Sequence, residues 1–416
     1  MDVYISSGGN QRGPYSLEQV RTMREKNEIA PTDYVWYQGL PAWIPAAQLQ
    51  PDGSVGPPPL HQQASLMHSA SMVLERVTGG LSSIAGVGKV EGLHRREFFS
   101  EVFKKRTDDD IEALFVTGTR TTTPPLNLID TRWPRPWAFF HALVGAVLLF
   151  AGFYYAANHF QNVNSIPGLI LVGSFGIPLA TLIFFVEMNV PRNVSLYQVF
   201  KLVNAGGLVA IMITLFLASA FTTKNVWVWA VSTGIIEESA KLLTVIFFMR
   251  NRRFIWSLNG LLLGAAVGAG FAAFESAGYA LQFLFKDISN SAQGQETNLM
   301  LEVIGMRALL APAGHVVWTG LATAALWRVK RDQPFSWGML ADQRFYRIFL
   351  LVVACHAIWD LNLFDSYLIA YVKYLCLGFV AWVLVLGYIQ DGLKQIREAQ
   401  KGAVETARAP VTPVQT

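Results

Sequence analysis

The sequence predicts an all-α polytopic membrane protein of about eight transmembrane helices, preceded by a small α+β soluble domain. Two observations carry that expectation. The 416 residues are 52% hydrophobic and only 15% charged, with a mean hydropathy of +0.33, whereas a soluble domain carries about 25% charged residues. The deficit is also local: residues 1–136 read as ordinary polar sequence, and the long apolar runs fall between 137 and 390. The opening "MDVYISSGGNQRGPYS" has neither a basic n-region nor an apolar h-region, so no cleavable signal is expected.

Residues 1–50 form a unit of their own. Gly13-Pro14 marks a turn, Ser16 caps a helix with Leu17, Val20 and Met23 in its pattern, and "DYVWYQGLPAW" reads as a strand and turn. The set Gly13-Pro14-Tyr15-Ser16, Val35-Trp36, Gly39 and Trp43-Ile44-Pro45 resembles the bacterial GYF-like domain. That resemblance implies a cytoplasmic adaptor binding a proline-rich peptide on its aromatics. Trp36 and Trp43 also read as the plain core of a tiny domain.

Residues 51–136 read as a linker. "PDGSVGPPPLHQQAS" has the Pro/Gly/polar composition of an unstructured segment. "KKRTDDDIEALFVTG" then predicts a short amphipathic helix, capped by Thr107, with Asp108, Asp109 and Asp110 at the positive end of its dipole. Ile111, Leu114 and Phe115 would share its apolar face, against the membrane or the domain.

Eight spans are expected in the segment 137–390: 137–157, 167–187, 199–221, 226–249, 259–283, 307–328, 346–363 and 367–390. Each approaches the ~20 residues needed to cross ~30 Å of hydrocarbon. Basic residues crowd the even-numbered loops and the ends: Arg132 and Arg135, Arg192 and Lys201, Arg250, Arg252 and Arg253, then Arg328, Lys330, Arg331 and Arg344. Lys394, Arg397 and Lys401 follow the last span, in a tail at 391–416, while the odd loops carry little beyond Lys224 and Lys286. Both termini are therefore expected in the cytoplasm of a multi-pass cell-membrane protein. The net charge of +4 reflects this topology rather than nucleic-acid binding. Cys355 and Cys376 lie in apolar runs and suggest no disulfide framework.

Four spans carry groups that lipid does not favour. Span four has Glu237, Glu238 and Lys241, span five Glu275, span six His315, and span seven His356 with Asp360. Each charge at the bilayer centre costs roughly 2.5–3.5 kcal/mol before any pairing. Lys241 is i+4 from Glu237 and i+3 from Glu238, and Asp360 is i+4 from His356, so each set shares a face. At 1.5 Å per residue, Glu237 lies roughly 16 Å from the outer end of its span, Glu275 and His315 about 12 Å, and His356 about 10 Å. One cluster in the outer half of the bilayer is the economical reading. Gly260, Gly264, Gly268, Ala272 and Ser276 give span five a small-residue face, and Glu275 lies close to it. His141, Glu187 and Lys373 read as packing, span-end and snorkelling residues.

Carboxylates and imidazoles held in a semi-dry cavity can activate water for amide hydrolysis. The ordered set Glu237-Glu238-Ser239-Ala240-Lys241, Phe271 to Glu275, His315, and His356 to Asp360 is similar to the PrsW family of intramembrane proteases, relatives of the CAAX prenyl proteases. The resemblance implies a peptidase acting on membrane-anchored proteins, such as an anti-sigma factor. Glu237 or Glu238 would be general base, Glu275, His315 and His356 further catalytic groups, and Lys241 and Asp360 supporting ones. Glu275 stands where the CAAX relatives have a histidine, which puts prenyl-cysteine substrates in doubt. No close His pair exists in the sequence, so a metal-free glutamate mechanism is expected ahead of a three-ligand zinc site. A proton-coupled transporter or channel using the same Glu, His and Lys residues is the alternative.

Overall fold

The computed structural model describes residues 2–408 apart from positions 8–9, 27, 31–32, 41, 51, 56–59, 120, 250–253, 293–297 and 362–366. Arg250, Arg252 and Arg253, the linker prolines Pro57 to Pro59, and the short loop 364–366 thus lie outside the described residues. The chain divides into two compact units, Met1–Val77 and Thr78–Thr416.

The first unit is an antiparallel sheet of order β2-β1-β3-β4: β1 Asp2–Ser7, β2 Asn10–Ser16, β3 Tyr34–Tyr37 and β4 Ile44–Pro45. Helix α1, Leu17–Glu25, starts at a capping box in which Ser16 and Gln19 satisfy each other's backbone N–H groups. Strand alternation turns Val3, Ile5 and Val35 inward, where Val20, Ile29, Ala46 and Leu49 close the core. That core is aliphatic. Trp43 is 37% exposed, and the rings of Tyr4, Trp36 and Trp43 form a row with centroids 6.1 and 6.5 Å apart. The two tryptophans are therefore not the core of this domain.

The expected linker is helical from Leu60: α2 spans Leu60–Ala85, where the sequence has no proline and no glycine before Gly79. Two short helices follow, α3 Arg95–Phe98 and α4 Asp108–Phe115. Thr107 caps α4 as expected, in a box closed by Asp110.

The second unit is a helical bundle: α5 Ala138–His159, α6 Ile166–Met188, α7 Leu196–Lys201, α8 Gly207–Ala220, α9 Val226–Met249, α10 Ser257–Ala292, α11 Leu299–Leu310, α12 His315–Lys330, α13 Gln343–Asp360 and α14 Tyr367–Arg408. A π-turn at Leu202–Gly206 joins α7 to α8. Among the described residues, six segments are long and apolar enough to cross a membrane: Ala138–His159, Val163–Met188, Leu196–Ala220, Ser257–Ala292, Leu299–Lys330 and Ile369–Glu405. The protein is a multi-pass membrane protein. The other two expected spans are helical, in α9 and α13, but their charged residues keep them outside that apolar set.

Helix α10 is the axis of the bundle: 94% of its most apolar stretch is buried, against 6% for α5. Its small-residue face meets α12 at backbone contact. A Cβ at Gly264 would stand 2.3 Å from the Thr319 carbonyl oxygen, and one at Gly268 2.4 Å from that of His315. Glycine is required there for close approach.

Two spans differ from expectation. Span five continues to Ala292, so Glu275 lies mid-helix and further from the outer end than the expected span 259–283 placed it. Span six is broken: α11 ends at Leu310, Ala311–Ala313 form a 3₁₀ turn, and α12 starts at His315 after Gly314. Pro312 and Gly314 account for the break, and the Trp382 indole N–H donates to the Pro312 carbonyl at 2.9 Å, satisfying a backbone group that lipid could not.

The bundle ends are also capped. Glu187 accepts the N–H groups of Trp137, Ala138 and Phe139 at 2.7, 2.9 and 3.0 Å, covering donors that the first turn of α5 leaves open. Lys373 donates to the carbonyls of Trp359 and Leu361 at 2.9 and 2.8 Å, closing the C-terminal end of α13. Asp342 caps the other end of α13, and its hydrogen bonds to Arg344 hold its carboxyl down to about 2. Cys355 and Cys376 are free, the first buried and the second exposed.

Candidate active site

Helix α9 brings its three charges to one buried face: Glu237, Glu238 and Lys241 are 7%, 1% and 0% exposed. Their i,i+3 and i,i+4 spacing lets Lys241 Nζ donate to Glu238 Oε1 at 2.7 Å and reach Glu237 Oε2 at 3.4 Å. The same ammonium donates to His315 Nδ1 at 2.9 Å and lies 4.3 Å from the centre of the Phe271 ring. One cation thus answers two helices besides its own.

Helix α13 approaches α9 over Gly234, where a Cβ would stand 3.0 Å from the Val353 carbonyl oxygen and 3.5 Å from the His356 Cβ. This places His356 Nδ1 2.7 Å from Glu238 Oε1. Its Nε2 faces Glu237 Oε2 at 3.6 Å and Asp360 Oδ2 at 3.5 Å. From α10, Glu275 Oε2 lies 3.1 Å from His315 Nε2 and also accepts a hydrogen bond from Arg307 Nη2. Aromatic rings enclose the two imidazoles: Phe271 and Trp318 against His315 at 5.2 and 5.5 Å, and Trp318 against His356 at 5.1 Å.

The structure therefore brings Glu237, Glu238, Lys241, Glu275, His315 and His356 into one network, with Asp360 at its edge. His141 stays apart, its Nδ1 on the Trp137 carbonyl at 3.0 Å. Sequence reasoning missed Arg307 and Trp318, and read Ser276 only as part of a packing face. The available signal for Arg307 was a basic residue in an apolar segment, eight positions before His315.

The hydrogen bonds also assign the ring protons. The Lys241 ammonium on His315 Nδ1 makes that nitrogen an acceptor and puts the ring proton on Nε2, 3.1 Å from Glu275 Oε2, while a proton on His356 Nδ1 faces Glu238 and leaves Nε2 with a lone pair. One ligand atom each from Glu237, His315 and His356 lies within 4.8 Å of the others. Two imidazoles and a carboxylate are the donor set of a three-ligand zinc site with an open position. Each histidine is backed by a carboxylate on its other nitrogen, as metal-binding histidines are. The residues fit a metal in kind, although Lys241 Nζ now faces two of the three donor groups and an ion would compete with it. The two histidines sit on different helices, which is why no short motif announced them.

Residues 195–388 match the family model of the PrsW family intramembrane metalloprotease, a stretch that holds every residue of this network. Residues 4–50 match the model of GYF domain 2. No curated protein and no solved structure matches the chain.

Proposed function

We propose that the PrsW-family peptidase domain at 195–388 is an endopeptidase that cleaves a membrane-anchored protein with water activated among Glu237, His315 and His356. The supporting observation is the convergence of these three groups from α9, α12 and α13, each imidazole held by a further carboxylate. Glu237, His315 and His356 would hold a divalent metal ion of the zinc kind; when bound, it supplies a polarised carbonyl and a water acidic enough to ionise near neutral pH. The donor set and the family description favour this over the metal-free glutamate mechanism expected from sequence.

The chain's own residues orient the site and move the proton. Glu238 Oε1 keeps the proton on His356 Nδ1, and Glu275 Oε2 keeps that of His315 on Nε2. The Lys241 ammonium offsets the carboxylates of Glu237 and Glu238, whose uncompensated burial would be costly. Asp360 Oδ2, 3.5 Å from His356 Nε2, is partly exposed and placed to take a proton from water and return it to the leaving amine. Phe271 and Trp318 limit bulk water around the rings.

The test is reconstitution in liposomes with a single-span protein substrate. A truncated product is expected, lost on treatment with a chelator and restored by zinc. Cleavage that resists a chelator in a protein shown to be metal-free would sink the metal reading. Proton flux without any cleavage would favour a transporter.

The loop charges support cytoplasmic termini, with the site opening toward the outer face. With Cys355 and Cys376 removed, a single cysteine at Tyr279 is expected to react with an impermeant thiol reagent added to intact cells. Reaction only after the cytoplasmic face is exposed would reverse that topology. At the N-terminus, the row of Tyr4, Trp36 and Trp43, with Trp43 exposed and the other two half-buried, supports docking of a proline-rich peptide. Loss of such binding in Trp36→Ala is the corresponding check.

A further inference from the structure

We propose that Arg307 is a positioning residue of the reaction, fixing Glu275 and through it the ring of His315. The inference rests on the site described above but concerns a residue outside its motifs. Arg307 sits on α11, before the helix break, and His315 opens α12 after it. Its guanidinium makes three contacts along α10: Nη2 donates to Glu275 Oε2, Nε donates to Ser276 Oγ at 2.9 Å, and its carbon lies 4.6 Å from the centre of the Tyr279 ring.

Glu275 Oε2 is shared. It accepts from Arg307 on one side and lies 3.1 Å from His315 Nε2 on the other. The carboxylate therefore has its position set by Arg307 before it sets that of the imidazole. A planar guanidinium fixes both the place and the plane of a carboxylate, which the point charge of a lysine does not. The chain of contacts Arg307–Glu275–His315 also spans the break at Ala311–Gly314, where a 3₁₀ turn stands between α11 and α12. Helix α11 is itself secured on α10, since Asp287 accepts the N–H groups of Leu299 and Met300 at 3.1 and 2.9 Å.

The experiment compares the full-length wild type with Arg307→Lys, Arg307→Met, Glu275→Gln and the Met/Gln double variant in liposomes carrying a single-span substrate. Loss of an outer partner of a ligand typically costs about 10–100-fold. Arg307→Met is expected to lower kcat by that order, with KM changed less than about twofold. Arg307→Lys should recover part of the loss. The double variant should fall no further than Glu275→Gln alone, because both substitutions break one chain of bonds. Zinc affinity, read by competition with a chromophoric chelator, should fall in parallel.

A rise in KM at constant kcat would overturn the proposal in favour of direct substrate binding. Losses that multiply in the double variant, or full activity in Arg307→Met, would overturn it as well. If Arg307→Met fails to insert, Arg307→Lys carries the same kinetic decision. A wild type that cleaves without binding zinc defeats the metal reading, while the kinetic cycle still decides the role of Arg307.

Discussion

Glu237→Gln is expected to lower cleavage by about 10²–10⁴-fold, because it removes one of the three groups that would hold the metal and, with it, activation of the water. Glu238→Gln should cost less, about 10–100-fold, because that carboxylate works through His356. The two side chains are neighbours in sequence but meet opposite nitrogens of one imidazole: Glu238 Oε1 lies 2.7 Å from Nδ1, and Glu237 Oε2 lies 3.6 Å from Nε2. Glu237 is also the more accessible, with 10% of its side chain exposed against none for Glu238. The stability effects should run the other way. Glu238→Gln leaves Lys241 without its closest partner, and breaking a buried pair costs about 3–5 kcal/mol. Thermal unfolding in detergent together with initial cleavage rates separates the cases. If Glu238→Gln proves the more damaging to rate while unfolding is unchanged, the roles of the two glutamates are reversed.

Much of the site was legible because lipid makes charge conspicuous. Glu237, Glu238, Lys241, Glu275, His315 and His356 each stood out against an apolar run, and burial cost alone argued that they should meet. What could not be read was how they meet. Counting residues inward from span ends assumed that every helix starts at the bilayer edge, yet α10 continues to Ala292 and α12 begins at His315 itself. Pro312 and Gly314 were visible, but mean hydropathy does not distinguish a broken helix from a continuous one. Arg307 stood at the expected start of span six, where a basic residue passes for an ordinary flank. The close approach of α10 and α12 was legible in the glycine spacing. Trp36 of the N-terminal unit was ambiguous in sequence because a strand residue's side depends on register, which only the sheet pairing fixes.

His315→Ala and His356→Ala are each expected to remove both bound zinc and activity, whereas Asp360→Asn should keep the zinc and lose rate. The contrast follows from position. His315 and His356 belong to the set of donors lying within 4.8 Å of one another, and Asp360 does not. Its Oδ2 stands beside His356 Nε2 at 3.5 Å, close enough to exchange a proton with water at the donor set. Removing one of three ligands should take metal content from about one ion per chain to a small fraction of that. Asparagine at 360 keeps the shape but cannot take up a proton, so kcat should drop by about 10²–10⁴-fold while metal content stays unchanged. Elemental analysis of purified protein and single-turnover cleavage provide the two readouts. Full zinc in both alanine variants would dismiss the donor set. Loss of zinc in Asp360→Asn would make Asp360 a ligand and return the proton-transfer role to Glu237, the other carboxylate facing His356 Nε2.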